Sequence, residues 1–326
     1  MYSYLNGKIT ISKDEILSRV YSRPEDVVIL SGTLVEGIGN AHSDFDVYVI
    51  TNELPEKSEE RKHNFAVYEN NRLRQYYDYM NSGGFGFDAE YYFFGELHSM
   101  VDKLESSYKA ALLSTKILRA ELSNSVDDAL HKLFIGVVLQ GEEKLSSILT
   151  PELHKKMAFI RYRNKTAGYP EFKDIMGAWI SEDIDTALHN MRSYLLDQIS
   201  GLTHLCGNTN GKPKWIPQSI KRLPQQFESC GLTVMTWLGR ESQTVEQKKS
   251  KILDACDIID DIYSHSRTLL DTGDIGYNVQ DALRLTQEEF ERESFHDEQT
   301  KIEFEHRRMM FCSSRRSLRD FLINAS

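Results

Sequence analysis

Ser31-Gly32-Thr33-Leu34-Val35-Glu36-Gly37-Ile38-Gly39-Asn40-Ala41-His42-Ser43-Asp44-Phe45-Asp46-Val47-Tyr48-Val49-Ile50 joins two strand-like segments through a glycine-rich turn. Upstream of it, Val27 to Leu30 is a short apolar run that stops at Ser31-Gly32, the pattern of a buried strand. Gly37, Gly39 and Asn40 mark a turn, and Phe45 to Ile50 is β-branched and aromatic, a second strand. Alternation along that strand places Asp44 and Asp46 on one face, two residues apart. Two carboxylates held so close repel unless a cation sits between them, so the pair predicts a Mg²⁺ platform. Gly32 permits close backbone approach, and its amide with that of Thr33 could hold a phosphate. The parts fit a nucleoside triphosphate whose phosphates are bridged by metal.

The same residues resemble the signature of the polymerase-beta-like nucleotidyltransferase superfamily. That signature is a glycine-serine pair closing a strand, about a dozen residues, then Asp-x-Asp flanked by apolar residues. Here the pair is Gly32-Thr33, which keeps the hydroxyl and adds a methyl group beside the phosphates. Ser43, directly before Asp44, matches a common form of the motif. The resemblance implies phosphate contacts from Ser31, Gly32, Thr33 and Ser43. It also implies a third carboxylate on a later strand between apolar neighbours. Phe87-Asp88-Ala89-Glu90-Tyr91 offers two acids facing the same way; Glu90 is favoured, with Asp88 the alternative. Asp44, Asp46 and that third acid would hold two Mg²⁺ ions steering in-line attack on the α-phosphate, with pyrophosphate leaving.

Around this motif the first hundred residues read as mixed α/β. Lys13 to Tyr21 has helical spacing of Ile16, Leu17 and Val20 after Ser12, a suitable N-cap, and Pro24 follows. Residues 52–62 read as an exposed polar loop. Asn64 to Tyr68 and Leu73 to Tyr79 read as a hairpin, Ser82 to Gly86 as a turn, and Phe87 to Phe94 as a strand. From about residue 98 the pattern becomes helical. Apolar residues recur at three- and four-residue steps over Met100–Leu122, Val126–Leu149, Glu152–Lys165, Ile184–Leu205, Val245–Leu270 and Val279 to the end. The expectation is an α+β chain: a small mixed-sheet catalytic domain over 1–97 and a larger all-helical, substrate-binding domain over 98–326.

The helical half resembles, more loosely, the C-terminal domain of small-molecule nucleotidyltransferases such as the aminoglycoside-modifying enzymes. The comparison rests on a long helix ending at Gly207-Asn208-Thr209-Asn210-Gly211-Lys212-Pro213-Lys214-Trp215, and on Arg161-Tyr162-Arg163-Asn164-Lys165. It implies a lysine on the departing phosphates, where charge builds in the transition state. Lys214 is the candidate, with Trp215 as a base-stacking surface or a core plug; Arg163 is a weaker candidate. His42 lies in the loop before Asp44. Cys206 and Cys256 read as buried thiols. Arg307, Arg308, Arg315, Arg316 and Arg319 read as a solvated helix face or an oligomer contact, ahead of a polyanion site. The aromatic runs around Tyr76-Tyr77 and Tyr91-Tyr92 read equally as sheet packing or as an acceptor frame.

The 326-residue chain has 49 acidic and 39 basic residues and a formal charge of −10. Residues 1–105 hold 18 acids against 10 bases, so most of the excess surrounds the Asp-x-Asp motif. A net negative chain is a poor default binder of nucleic acid, because phosphate contacts supply most of that affinity. No apolar run approaches the ~18 residues that span a bilayer. The N-terminus lacks the layout of a signal peptide. Four scattered cysteines give neither a zinc motif nor a disulfide framework. The expectation is a cytoplasmic, Mg²⁺-dependent enzyme that transfers a nucleoside monophosphate, AMP from ATP by default, to a small-molecule hydroxyl or amine. Antibiotic modification and natural-product biosynthesis both fit, and dimers in relatives make a homodimer the analogy to test. The alternative is nucleotidylation of a protein or RNA, or synthesis of a signalling oligonucleotide. A non-catalytic nucleotide-binding protein on the same fold is the third reading.

Overall fold

The computed structural model describes residues 1–54, 65–68, 72–77, 87–118, 122–272, 274–313 and 316–324, with only the backbone described for 65–68, 72–77 and Phe87. The chain forms two compact units, Met1–Leu104 with Leu122–His154, and Glu105–Glu121 with Lys155–Ser326. The architecture is α+β, a mixed sheet followed by a larger helical region. Residues 122–154, which the sequence pattern assigns to the helical half, pack with the sheet.

The first unit opens with a short hairpin, β1 (Tyr2–Tyr4) and β2 (Ile9–Ile11), followed by α1 (Lys13–Arg19). The Ser12 hydroxyl caps α1, accepting the Glu15 amide at 3.0 Å. Then come β3 (Val27–Ser31), α2 (Thr33–Glu36), β4 (Phe45–Thr51), β5 (Phe65–Tyr68), β6 (Arg72–Tyr77), β7 (Phe87–Phe93) and α3 (Phe94–Leu112), whose residues from Glu105 onward belong to the second unit. The unit is completed by α4 (Asn124–Ile135), β8 (Val137–Gln140) and α5 (Glu142–Ile148). The main sheet has the order β5-β6-β7-β4-β3-β8. Its neighbours are antiparallel except β4 and β7, which run parallel.

Alternation sorts the two faces. Val28, Leu30, Phe45, Val47, Val49, Ala89 and Tyr91 form one apolar core, covered by Ile9, Ile11, Ile16 and Val20 from the first hairpin and α1. Ser31, Asp46, Tyr48, Asp88, Glu90 and Tyr92 therefore share the opposite face.

One expected helix does not exist as such. Val126–Leu149 is divided into α4, β8 and α5. Gly136 is the reason: a Cβ there would stand 2.3 Å from Ile29 Cγ2 and 3.2 Å from the Leu30 carbonyl, so the chain can pass β3 only with glycine. Val137 and Val138 then extend naturally into an edge strand.

The second unit comprises α6 (Pro151–Thr166), α7 (Tyr169–Ile180), α8 (Ile184–Leu205), α9 (Ile216–Lys221), α10 (Glu228–Gly239), α11 (Val245–Leu270), α12 (Val279–Glu291), α13 (Glu298–Met309) and α14 (Leu318–Ile323). Helix α8 packs against α7 and α11. The buried Tyr194 hydroxyl lies 2.9 Å from both the Tyr263 hydroxyl and His306 Nε2. The single helix expected from Val279 onward is three helices, because Met310 and Phe311 turn into the core (2% and 1% exposed) and end α13. Among the described residues, no helix is long and apolar enough to cross a membrane.

Three of the arginines near the end are tied within this unit. Arg307 is buried against Glu289 and Thr115, Arg316 pairs with Glu305 at 3.4 Å, and Arg319 pairs with Asp257. Arg308, on the same helix as Arg307, is exposed. Arg315, the loop over 55–62 and the Ser82–Gly86 turn lie outside the described residues.

Candidate functional site

The site is built where β3 hands the chain to β4. Gly32 has φ of +97°, a left-handed conformation that disfavours side chains. A Cβ on Gly32 would stand 2.5 Å from Asp46 Oδ2, so glycine lets the turn lie directly against that carboxylate. The Thr33 carbonyl accepts the amides of Ile38 and Gly39 at 3.0 and 2.8 Å, closing the excursion. The amide of Asn40 donates to the Ser43 hydroxyl at 2.9 Å, and the Ser43 amide donates back to the Asn40 carbonyl at 3.0 Å. This local turn sets the entry of β4. His42 stays in the exposed loop.

Asp44 is exposed one residue before β4, whereas Asp46 is partly buried within it. Asp46 lies in register with Ser31 on one side and Asp88 on the other. Glu90 is in register with Tyr48 and receives the Tyr92 hydroxyl at 3.0 Å. Both candidates for the third acid thus face the same way as Asp46, with Asp88 directly across from it. The rings of Tyr48 and Tyr92, centroids 5.9 Å apart, form a buried aromatic floor beside the acids.

The residue that sequence reasoning missed is Lys132 of α4. Its Nζ lies 3.3 Å from Asp46 Oδ1 and 5.5 Å from the centre of the Tyr48 ring. Its carbonyl accepts the Ser31 hydroxyl at 2.6 Å. The preceding residue, His131, lies 3.4 Å from Glu36 of α2 through Nε2, with side chains 3% and 4% exposed. Helix α4 is thereby fastened to β3, α2 and β4, every element of the motif. The sequence carried one indirect signal: Gly136 followed by Val137-Val138 returns the chain to a sheet, which puts the helix before it on that sheet.

Burial raises the Asp46 carboxyl above its ordinary range; Lys132 opposes this, and the charges of Asp44 and Glu90 reinforce it. The Tyr48 hydroxyl is pushed well up by burial and then by the charges of Asp46 and Glu90. Asp44 and Glu90 thus add negative charge around Asp46, opposite the one ammonium of Lys132.

The remaining predicted residues divide. Thr33 and Ser43 lie in the turn, half-buried. Ser31 is fully buried and its hydroxyl is committed to the Lys132 carbonyl, so it anchors α4 and does not reach a phosphate. Lys214 is exposed in the second unit, its ammonium 5.2 Å from the centre of the Trp215 ring. Arg163 is fully buried and donates to the carbonyls of Ala111 and Lys116 at 2.9 and 3.0 Å, a structural role at the end of α3. Tyr91 lies on the core face and donates to the Tyr21 carbonyl at 3.0 Å, so it packs the sheet and frames no acceptor. Burial pushes the Cys206 thiol up to about 12 and the Cys256 thiol well above its ordinary range.

Oxygen donors from Asp44, Asp46 and Glu90 or Asp88 suit a hard divalent cation such as Mg²⁺. Among the described residues, no three acidic, histidine or cysteine side chains already converge as a cage. The donor chemistry and the shared face of Asp46, Asp88 and Glu90 nonetheless fit such an ion. No family model matches the chain, and no curated protein matches it.

Proposed function

We propose that this chain is a Mg²⁺-dependent nucleotidyltransferase. It moves a nucleoside monophosphate, AMP by default, from a nucleoside triphosphate to a hydroxyl or amine of a small molecule and releases pyrophosphate. One observation carries the reading: Gly32 turns against Asp46 while Asp88 and Glu90 project from the neighbouring parallel strand on the same face. That arrangement supports the resemblance to the polymerase-beta-like superfamily stated above.

Asp44, Asp46 and Glu90, with Asp88 as the alternative, would hold the cations. Bound there, divalent ions supply charge neutralisation at the α-phosphate and the departing pyrophosphate. Gly32 lets the turn into Thr33 lie directly against the Asp46 carboxylate, so phosphate oxygens held by that turn would sit beside the proposed metal-binding acid. The Tyr92 hydroxyl fixes the Glu90 carboxylate, and the Tyr48–Tyr92 floor keeps water from below Asp46. Lys132 adds the positive charge that the sequence reading assigned to Lys214. The internal pairing of Arg307, Arg316 and Arg319 favours a small acceptor over RNA.

The test is label transfer. With ATP labelled at the α-phosphate, an acceptor product should carry label; with ATP labelled at the γ-phosphate, label should leave as pyrophosphate. Label from the γ-position on the acceptor would make the enzyme a phosphotransferase and sink the proposal.

A further inference from the structure

Lys132 is placed with more precision than a surface lysine. Three contacts fix the backbone around it: the Ser31 hydroxyl on its carbonyl, the His131–Glu36 pair, and Gly136 lodged against Ile29. Its side chain and that of Asp46 are 19% and 21% exposed, so the pair is largely shielded from water. Beyond the fixed backbone, a lysine carries a compact point charge on a four-carbon stem with several rotatable bonds. The ammonium thus has a rigid base and is aimed at the carboxylate that the proposed function assigns to a metal ion.

From this geometry we infer that Lys132 competes with a divalent cation for Asp46, so that the cation enters with the triphosphate and not before it. The inference rests on the nucleotidyltransferase reading and adds an order of binding to it. A lone divalent ion must displace the ammonium from Asp46 Oδ1 and face a like charge at close range. A triphosphate brings several negative charges to the Gly32 turn and draws the ammonium off Asp46 onto its own oxygens. The carboxylate is released to the cation in the same event. Removing the lysine charge should therefore act in opposite directions on the two ligands, which a merely structural lysine would not do. Asp128, one helical turn before Lys132, adds a further carboxylate whose charge reaches the Tyr48 hydroxyl. The ammonium thus has an acidic neighbourhood on its own helix as well as on the sheet.

The experiment compares wild type, Lys132→Gln and Lys132→Arg, each checked for folding by circular dichroism. Mn²⁺ binding is followed by electron paramagnetic resonance without nucleotide, and Mg²⁺ with α,β-methylene-ATP is followed by calorimetry. Lys132→Gln should bind Mn²⁺ alone at least about threefold tighter and the nucleotide complex about tenfold weaker, while Lys132→Arg stays close to wild type. Unchanged or weaker Mn²⁺ binding in Lys132→Gln, with normal nucleotide-dependent binding in wild type, overturns the inference alone. If folded wild type and variant bind neither Mn²⁺ nor the nucleotide complex, the nucleotidyltransferase reading fails and this inference falls with it.

Discussion

The ammonium of Lys132 on α4 lies 3.3 Å from Oδ1 of Asp46 on β4, and the Lys132 carbonyl is tied to Ser31 at the end of β3. One residue therefore braces the strand that presents the glycine turn and offsets the carboxylate on the strand beside it. The consequences can be separated by mutation.

Ser31→Ala removes the buried hydroxyl that holds the Lys132 carbonyl. Leaving that acceptor unpaired should cost about 1–2 kcal/mol of stability. Chemical denaturation checks this. If Lys132 is positioned through this bond, nucleotide affinity should fall as well, although Ser31 never touches the ligand.

Gly32→Ala places a side chain at φ of +97° and drives its Cβ against the Asp46 carboxylate. Backbone strain alone should cost about 1–3 kcal/mol. Turnover should fall by more than the loss of folded protein explains, because Asp46 must move. A variant with wild-type activity per folded molecule would show that the close approach has no catalytic meaning.

Asp88 and Glu90 can be told apart by single amides. Asp88 faces Asp46 in register, while Glu90 is held by the Tyr92 hydroxyl and its charge acts on Asp46. The substitution at the true third ligand should lower turnover by about a hundredfold or more, and the other by much less. Tyr92→Phe should resemble a mild Glu90→Gln if Glu90 is the ligand, and should be nearly silent if Asp88 is.

The helical unit carries its own pH signature. Burial first, with the charges of Asp257 and Asp261 adding, pushes the Asp260 carboxyl up to about 7, against the Leu318 amide that donates to it. Its folded value lies above the unfolded one, so the folded state keeps a proton that the unfolded state has released. Stability from this group is lost as pH rises from about 4 to about 7. Asp260→Asn should match wild type near pH 4 and exceed it by roughly 1–3 kcal/mol at pH 8, read from denaturation midpoints. An advantage that does not grow across that range would contradict the assignment.

The parts of the site that are contiguous in sequence were legible in it. The apolar run ending at Ser31-Gly32, the turn glycines and the alternating Phe45–Ile50 segment are local signals, and they become β3, the Gly32 turn and β4. The α8 and α11 helices match their periodicity, Ile184–Leu205 and Val245–Leu270, because long amphipathic stripes outweigh end effects. Lys132 was illegible, since no local pattern says that a lysine on a later helix reaches Asp46. The β8 strand was hidden because the three apolar residues Val137 to Leu139, between Gly136 and Gly141, fit helical spacing as well as a strand. The breaks after α12 and α13 were hidden because the second is made by buried Met310 and Phe311, residues that ordinarily continue a helix. Ser31 was misassigned because proximity in the motif does not tell which way a hydroxyl points.

The most direct test of the account is pyrophosphate release with each of the four nucleoside triphosphates and Mg²⁺, across small hydroxylated and amino acceptors, with RNA and protein run alongside. The Asp44→Asn, Asp46→Asn double variant serves as the control. Pyrophosphate release should require a small acceptor and disappear in the double variant. Release that persists unchanged without Asp44 and Asp46 would contradict the nucleotidyltransferase reading.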